Sequence, residues 1–123
     1  MKTPLFITIV NESSSILRNP SYNLYNCYID KSFKCIIKHG ETFSFEIFAY
    51  NSKKDPIAVL EYTIKDTLVE FLINLETCEA KGSLINEDVI IEKYTKAEQT
   101  HIWDNKKEKN EDAYIMFIIK DNK

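Results

Sequence analysis

The chain has 123 residues, 44% of them hydrophobic and 28% charged, with a formal net charge of −3. That length predicts one domain over residues 1–123, by the usual span of roughly 100–200 residues per domain, with a core large enough to dispense with disulfides or a structural metal. The acidic balance argues against nucleic-acid binding, which needs a basic stripe to neutralise phosphates, and no apolar run approaches the ~18 residues of a membrane helix.

Lys2 followed by the apolar run Leu5–Val10 superficially mimics a signal peptide. The run is too short and no small-residue cleavage site follows it. A first strand with Leu5, Ile7 and Ile9 on one face explains it better, and a cytoplasmic protein is expected, with a secreted mature form as the alternative. Asn19-Pro20-Ser21 reads as a turn starter ahead of a strand over residues 22–29. Further strands are expected over residues 33–38 and 42–50, with His39-Gly40-Glu41 as the link and Gly40 free to adopt positive φ. The alternation is clearest from Thr42 to Leu75. Phe43, Phe45 and Ile47 share one face, as do Leu60, Tyr62 and Ile64, and then Val69, Phe71 and Ile73. A period of two marks half-buried strands, because successive side chains point to opposite faces of the pleat. Lys65-Asp66-Thr67 therefore reads as a hairpin between strands over 57–64 and 68–75. Two more strands are expected over 88–94 and 113–119. The last is apolar on both faces, which predicts a central position covered from both sides. About eight short strands with little helix describe an all-β fold, a two-layer antiparallel β-sandwich.

No residue set carries a strong catalytic or metal signature. His101 and Asp104 are spaced as a general base and its orienting carboxylate beside Trp103, the only tryptophan. No serine or cysteine is tied to them by a motif, and a loop-to-strand junction in which Trp103 packs and His101 faces water accounts for them better, so the protein is expected not to be an enzyme. Cys27, Cys35, His39 and Cys78 lack the close, repeated pairs of structural zinc sites. Three cysteines fit reduced thiols, with a Cys27–Cys35 bridge as the alternative. Glu76, Glu79, Glu87 and Asp88 form a loosely spaced acidic patch that reads as a solvated rim rather than a calcium loop. No metal and no cofactor are expected. Arg18 is the only arginine, so two-pronged guanidinium recognition of an anion rests on it alone.

The aromatics are the more informative signal. Tyr22, Tyr25 and Tyr28 fall in one expected strand, Tyr22 and Tyr28 on one face and Tyr25 on the other. Phe48 and Tyr50 run out of phase with Phe43 and Phe45, which predicts a bulge or a strand end. Tyrosines at strand ends suit surfaces that bind proteins, sugars or lipid headgroups. The alternative is that they complete the second face of the sandwich.

Taken in order, Ile7-Thr8-Ile9-Val10-Asn11-Glu12-Ser13, Leu17 to Tyr22, Ile36-Ile37-Lys38-His39-Gly40, Ala58-Val59-Leu60-Glu61-Tyr62-Thr63-Ile64 and Leu68 to Leu75 resemble the actinoporin-like family, the sea-anemone cytolysin-like β-sandwich proteins. The resemblance implies the same scaffold and a membrane-active, pore-forming ancestry. It departs where the family is functional: only Met1–Pro4 precede Leu5 in place of an amphipathic helix, and Glu76-Thr77-Cys78-Glu79-Ala80-Lys81 stands where the family has a tyrosine-rich phosphocholine site. The expectation is thus a non-catalytic binding module whose contact residues are Tyr22, Tyr25, Tyr50 and Trp103. Its partner would be a protein, a glycan or a lipid headgroup, or a second copy in a homo-oligomer. A cytolysin-like pore-former and a viral or parasite effector that sequesters a host protein through a sheet edge are the alternatives.

Overall fold

Alternating burial builds the molecule. The computed structural model describes residues 4–50, 54–85, 87–95 and 114–122, and among them ten strands and no helix. In chain order these are β1 (Leu5–Asn11), β2 (Leu17–Tyr25), β3 (Cys27–Ile29), β4 (Ile36–Ile37) and β5 (Thr42–Ala49). There follow β6 (Ile57–Ile64), β7 (Thr67–Asn74), β8 (Glu79–Leu84), β9 (Val89–Thr95) and β10 (Tyr114–Asp121). They form two five-stranded sheets, ordered β3-β5-β1-β10-β9 and β4-β2-β6-β7-β8, packed face to face as a β-sandwich. Every pairing is antiparallel except that of β1 with β10, which run parallel from Phe6↔Tyr114 to Asn11↔Ile119.

The core lies between the sheets. Ile7, Ile9, Phe45, Ile47 and Phe117 from one layer meet Leu60, Tyr62, Ile64, Val69 and Phe71 from the other, all buried. Phe71 and Phe117 cross the gap with ring centroids 4.8 Å apart. The Tyr62 ring is fully buried and its hydroxyl donates to the Lys34 carbonyl at 2.6 Å, so the one polar atom of that ring is satisfied. Ahead of β2, the turn from β1 is pinned by Asn11. Its amide nitrogen donates to the carbonyls of Ser15 and Ile37, both at 2.8 Å, and its oxygen accepts from the Ser13 amide and hydroxyl.

Ten strands replace the expected eight for local reasons. The segment 22–29 is two strands in different sheets, because Asn26 takes a left-handed φ of 60° and turns the chain from β2 into β3. Tyr22 and Tyr28 consequently share no face. Asn19-Pro20 does not start a turn but lies inside β2 as a bulge: Arg18 pairs with Thr63 and Ser21 with Glu61, leaving one extra residue on the β2 side. Proline is tolerated there because the bulge asks no ladder bond of it. Of the strand expected over 33–38, only Ile36–Ile37 pair. The chain before them crosses the side of the sandwich, and Phe33 packs against Phe43 and Phe45.

β8 went unrecognised because its sequence, Glu-Ala-Lys-Gly-Ser-Leu, has almost no β-branched or aromatic character. It is an edge strand held by β7 from Asn74↔Glu79 to Val69↔Leu84. The last strand, β10, is not central; it is second from the edge, beside β9. Ile115, Phe117 and Ile119 face the core, while Tyr114, Met116 and Ile118 are half-buried on the outer face with no described strand over them.

Candidate interaction surface

The outer face of the β3-β5-β1-β10-β9 sheet is where the strand phase collects aromatics. In β5 the residues Phe43, Phe45 and Ile47 point inward, so Phe48 points out by ordinary alternation. Of the expected bulge or strand end, the structure has the strand end: Cys27↔Ala49, Tyr28↔Phe48 and Ile29↔Ile47 pair without interruption, and β5 stops at Ala49 just before Tyr50. Tyr28 and Phe48 stack with centroids 5.1 Å apart, and Tyr50 leans on Tyr28 at the same distance and a 33° tilt. The main chain holds Tyr50 there: its amide donates to the Asn26 carbonyl at 3.1 Å, and the Asn26 side chain donates to the Lys54 carbonyl at 2.6 Å.

The same phase rule carries the surface across the sheet. Phe6 on β1 faces Tyr114 on β10, paired in register and stacked at 5.5 Å. One row further, Thr8, Met116 and Tyr94 lie abreast, followed by Val10 and Ile118. Phe6, Tyr28, Tyr50 and Tyr94 are exposed along this band, while Thr8 within it is buried. Polar groups on this face are mostly spoken for. Thr8 and Ser44 share a hydroxyl hydrogen bond at 3.0 Å, and the Lys31 ammonium donates to the Ser44 carbonyl at 2.7 Å. Tyr94 donates to Glu92 at 2.7 Å and Lys120 pairs with the same carboxylate at 3.4 Å; these contacts hold the Glu92 carboxyl below its usual range, the tyrosine bond first.

The four residues expected to form one contact surface are separated. Tyr50 belongs to the aromatic group on the outer face. Tyr25 is exposed on the outer side of the other sheet, next to Asn26 where the chain crosses over. Tyr22 shares its face with buried Leu60, its partner in register, and stacks on Phe33 at 4.5 Å, so despite 52% exposure it plugs the open side of the core. Trp103, with His101 and Asp104, lies outside the described residues. Phe6, Phe48, Tyr94 and Tyr114 are not among the contact residues the sequence points to, although Phe48 stands out there by its phase. The signal for Tyr114 lay in a last strand apolar on both faces, which reads as doubly covered, and Phe6 sits on the face of the first strand opposite Leu5, Ile7 and Ile9.

Chemistry beyond contact has little to work with among the described residues. No three of His, Cys, Asp and Glu converge as a metal set there. All three cysteines are free, with Cys27 buried and Cys35 and Cys78 exposed. Burial pushes the Cys27 thiol up, and its sulfur lies 3.5 Å from the Ile57 carbonyl. His39 donates from Nδ1 to the Ser13 carbonyl at 2.9 Å, a tie to the β1–β2 turn rather than a ligand geometry. No described helix is long and apolar enough to cross a membrane. Compared with models of known protein families and with curated protein sequences, the chain matches none.

Proposed function

We propose that this protein is a non-catalytic β-sandwich binding module that engages a protein, a glycan or a lipid headgroup through the outer face of its β3-β5-β1-β10-β9 sheet. The observation that carries the reading is the Tyr28–Phe48–Tyr50 group, in which the Tyr28 ring contacts both others, with Tyr28 and Tyr50 exposed at one end of that face. Rings in this arrangement offer apolar area with few rotamers to immobilise, and the tyrosine hydroxyls add hydrogen bonds at the rim. The band from Phe6 to Tyr94 extends the apolar area beyond what isolated surface residues provide. The ordered motifs that resemble the actinoporin-like family support a scaffold used for recognition, and Glu76 to Lys81 supply no aromatic cage for a quaternary ammonium.

Liposome sedimentation and a glycan array, each run with the wild-type protein and with a Tyr28→Ala/Tyr50→Ala double variant, test the proposal. Binding by the wild type that the folded double variant loses supports it. Binding that survives the double variant removes this face from the reading. Negative results on both surfaces leave a protein partner, to be sought by cross-linking from Tyr50. The alternative of a cytolysin-like pore-former rests on the family resemblance, and dye release from sphingomyelin vesicles decides it directly.

A further inference from the structure

We propose that the groove across the outer face of the other sheet receives an extended segment of a protein partner carrying a basic side chain flanked by apolar ones. This second site is independent of the aromatic face. The groove has a volume of about 840 Å³ and is lined by Arg18, Glu61, Leu68, Glu70, Ser83 and Ile85 among others. Its size is within the span of about 300–1,000 Å³ typical of ligand sites.

Three features define the partner. Glu61 and Glu70 are direct register partners on β6 and β7, so their side chains stand side by side on one face. Like charges directly opposite one another in a sheet repel, and the rest of their row is uncharged: Ser21 lies beside Glu61 and Ser83 beside Glu70. Among the described residues neither glutamate has an ion-pair partner; Glu61 accepts only a 3.3 Å hydrogen bond from Ser21. A cation seated between the two carboxylates removes that repulsion, and no described side chain is seated there.

The second feature is apolar. Ile85 is 91% exposed, yet its main chain is held, because the Thr67 hydroxyl donates to its carbonyl at 3.1 Å. Leu68 is exposed on the same face, so the two make a fixed greasy shelf beside the acidic pair. The third is Arg18, exposed at the β2 end of the row that runs through Thr63 to Leu68, and without an ion pair among the described residues. Its forked donors are suited to the main-chain carbonyls of an incoming chain. Lys65 at the hairpin end is engaged with Asp88 at 3.9 Å, and no described cation makes a direct ion pair with Glu61 or Glu70. An acidic row, with grease and a guanidinium in the row beside it, matches a basic-apolar peptide. The acidic row repels phosphate-rich nucleic acid and anionic membrane alike.

The test titrates 15N-labelled full-length protein with the blocked peptide Ac-Val-Lys-Val-Arg-Val-NH2, and with Ac-Val-Glu-Val-Glu-Val-NH2 as the control. The basic peptide is expected to shift the amides of Glu61, Leu68, Glu70 and Ile85, and the acidic one to leave them in place. A Glu61→Gln/Glu70→Gln variant is expected to bind about tenfold more weakly or worse, and raised salt to weaken the wild type in parallel. The same variant is expected to melt at a temperature equal to or above the wild type, since it loses a repulsion. Tyr28→Ala is expected to leave the peptide shifts unchanged, which separates this site from the aromatic face. The proposal is overturned by equal shifts with both peptides, by shifts elsewhere on the surface, by no shifts at all, or by a lower melting temperature of the double variant.

Discussion

The rings of Tyr28 and Phe48 stack 5.1 Å apart at directly paired positions of β3 and β5, on the face turned away from the core. Because β3 is three residues long, that stack does two jobs at once: it clamps a short edge strand and it presents an aromatic surface. Exposed aromatic pairs contribute about 0.5–1.5 kcal/mol beyond the area they bury. Phe48→Ala is therefore expected to lower stability by about 1 kcal/mol, read by urea unfolding. Tyr50→Ala, whose ring only leans on Tyr28, is expected to cost less than half of that while weakening partner binding as strongly.

Asn11 offers a sharper stability test. It is fully buried, and all four of its side-chain hydrogen bonds go to the turn between β1 and β2 or to the β4 carbonyl of Ile37. Asn11→Ala leaves buried carbonyls and an amide without partners, at a cost of about 2–4 kcal/mol. Asn11→Asp keeps the acceptor but loses both donations, so it is expected to fall nearly as far. Thermal melts of the two variants beside wild type check this.

Gly82 on β8 stands directly against Ile91 of β9 and Phe117 of β10 in the facing layer. A Cβ placed there would sit 3.2 Å from Ile91 Cγ2 and 3.3 Å from the Phe117 ring. Gly82→Ala is expected to destabilise by about 1 kcal/mol, since overpacking outweighs the gain in strand propensity, and Gly82→Val by more. Shortening the neighbour with Ile91→Val is expected to recover part of the loss in Gly82→Ala. Additive losses in the double variant, measured by denaturant midpoints, would show that the contact is not the cause.

Alkaline pH probes the buried tyrosine. Desolvation, with a smaller contribution from nearby Cys35, pushes the Tyr62 hydroxyl well above its ordinary value of 10.0. The folded state then holds a proton that the unfolded chain releases, so stability is complete below about pH 10 and falls as pH rises beyond it. Cys27, raised by burial from 9.0, acts with the same sign and begins earlier. Tyr62→Phe is expected to cost about 1 kcal/mol at neutral pH through the lost bond to the Lys34 carbonyl. It is also expected to flatten the decline above pH 10, leaving only the Cys27 part, as read from urea midpoints across pH 7–11.

Asn26 tests the strand switch. Asn26→Gly keeps the left-handed backbone and loses only the bond to the Lys54 carbonyl, whereas Asn26→Ala loses the bond and strains φ as well. The alanine variant is expected to be less stable than the glycine variant by about 1 kcal/mol. Equal stabilities in calorimetry would remove the backbone argument.

Alternation in Phe43–Ile47, Leu60–Ile64 and Val69–Ile73 was enough to read the all-β sandwich, because a period of two with one apolar side has no other stable use. The hairpin at Lys65-Asp66 was equally plain, since two strong strands with two residues between them can only fold back. What the linear chain left open was how strands are shared between layers. Asn26 sends Tyr28 to one sheet and leaves Tyr22 and Tyr25 on the other, and a single left-handed residue has no periodic signature. β10 pairs with β1 across more than a hundred residues of chain, so whether the even positions of Tyr114–Ile118 meet a covering layer or remain on an outer face depends on sheet order alone. Local spacing states which side of a strand is greasy; only long-range pairing states what that side looks at, and the aromatic surface and the acidic groove both arise from that second, non-local decision.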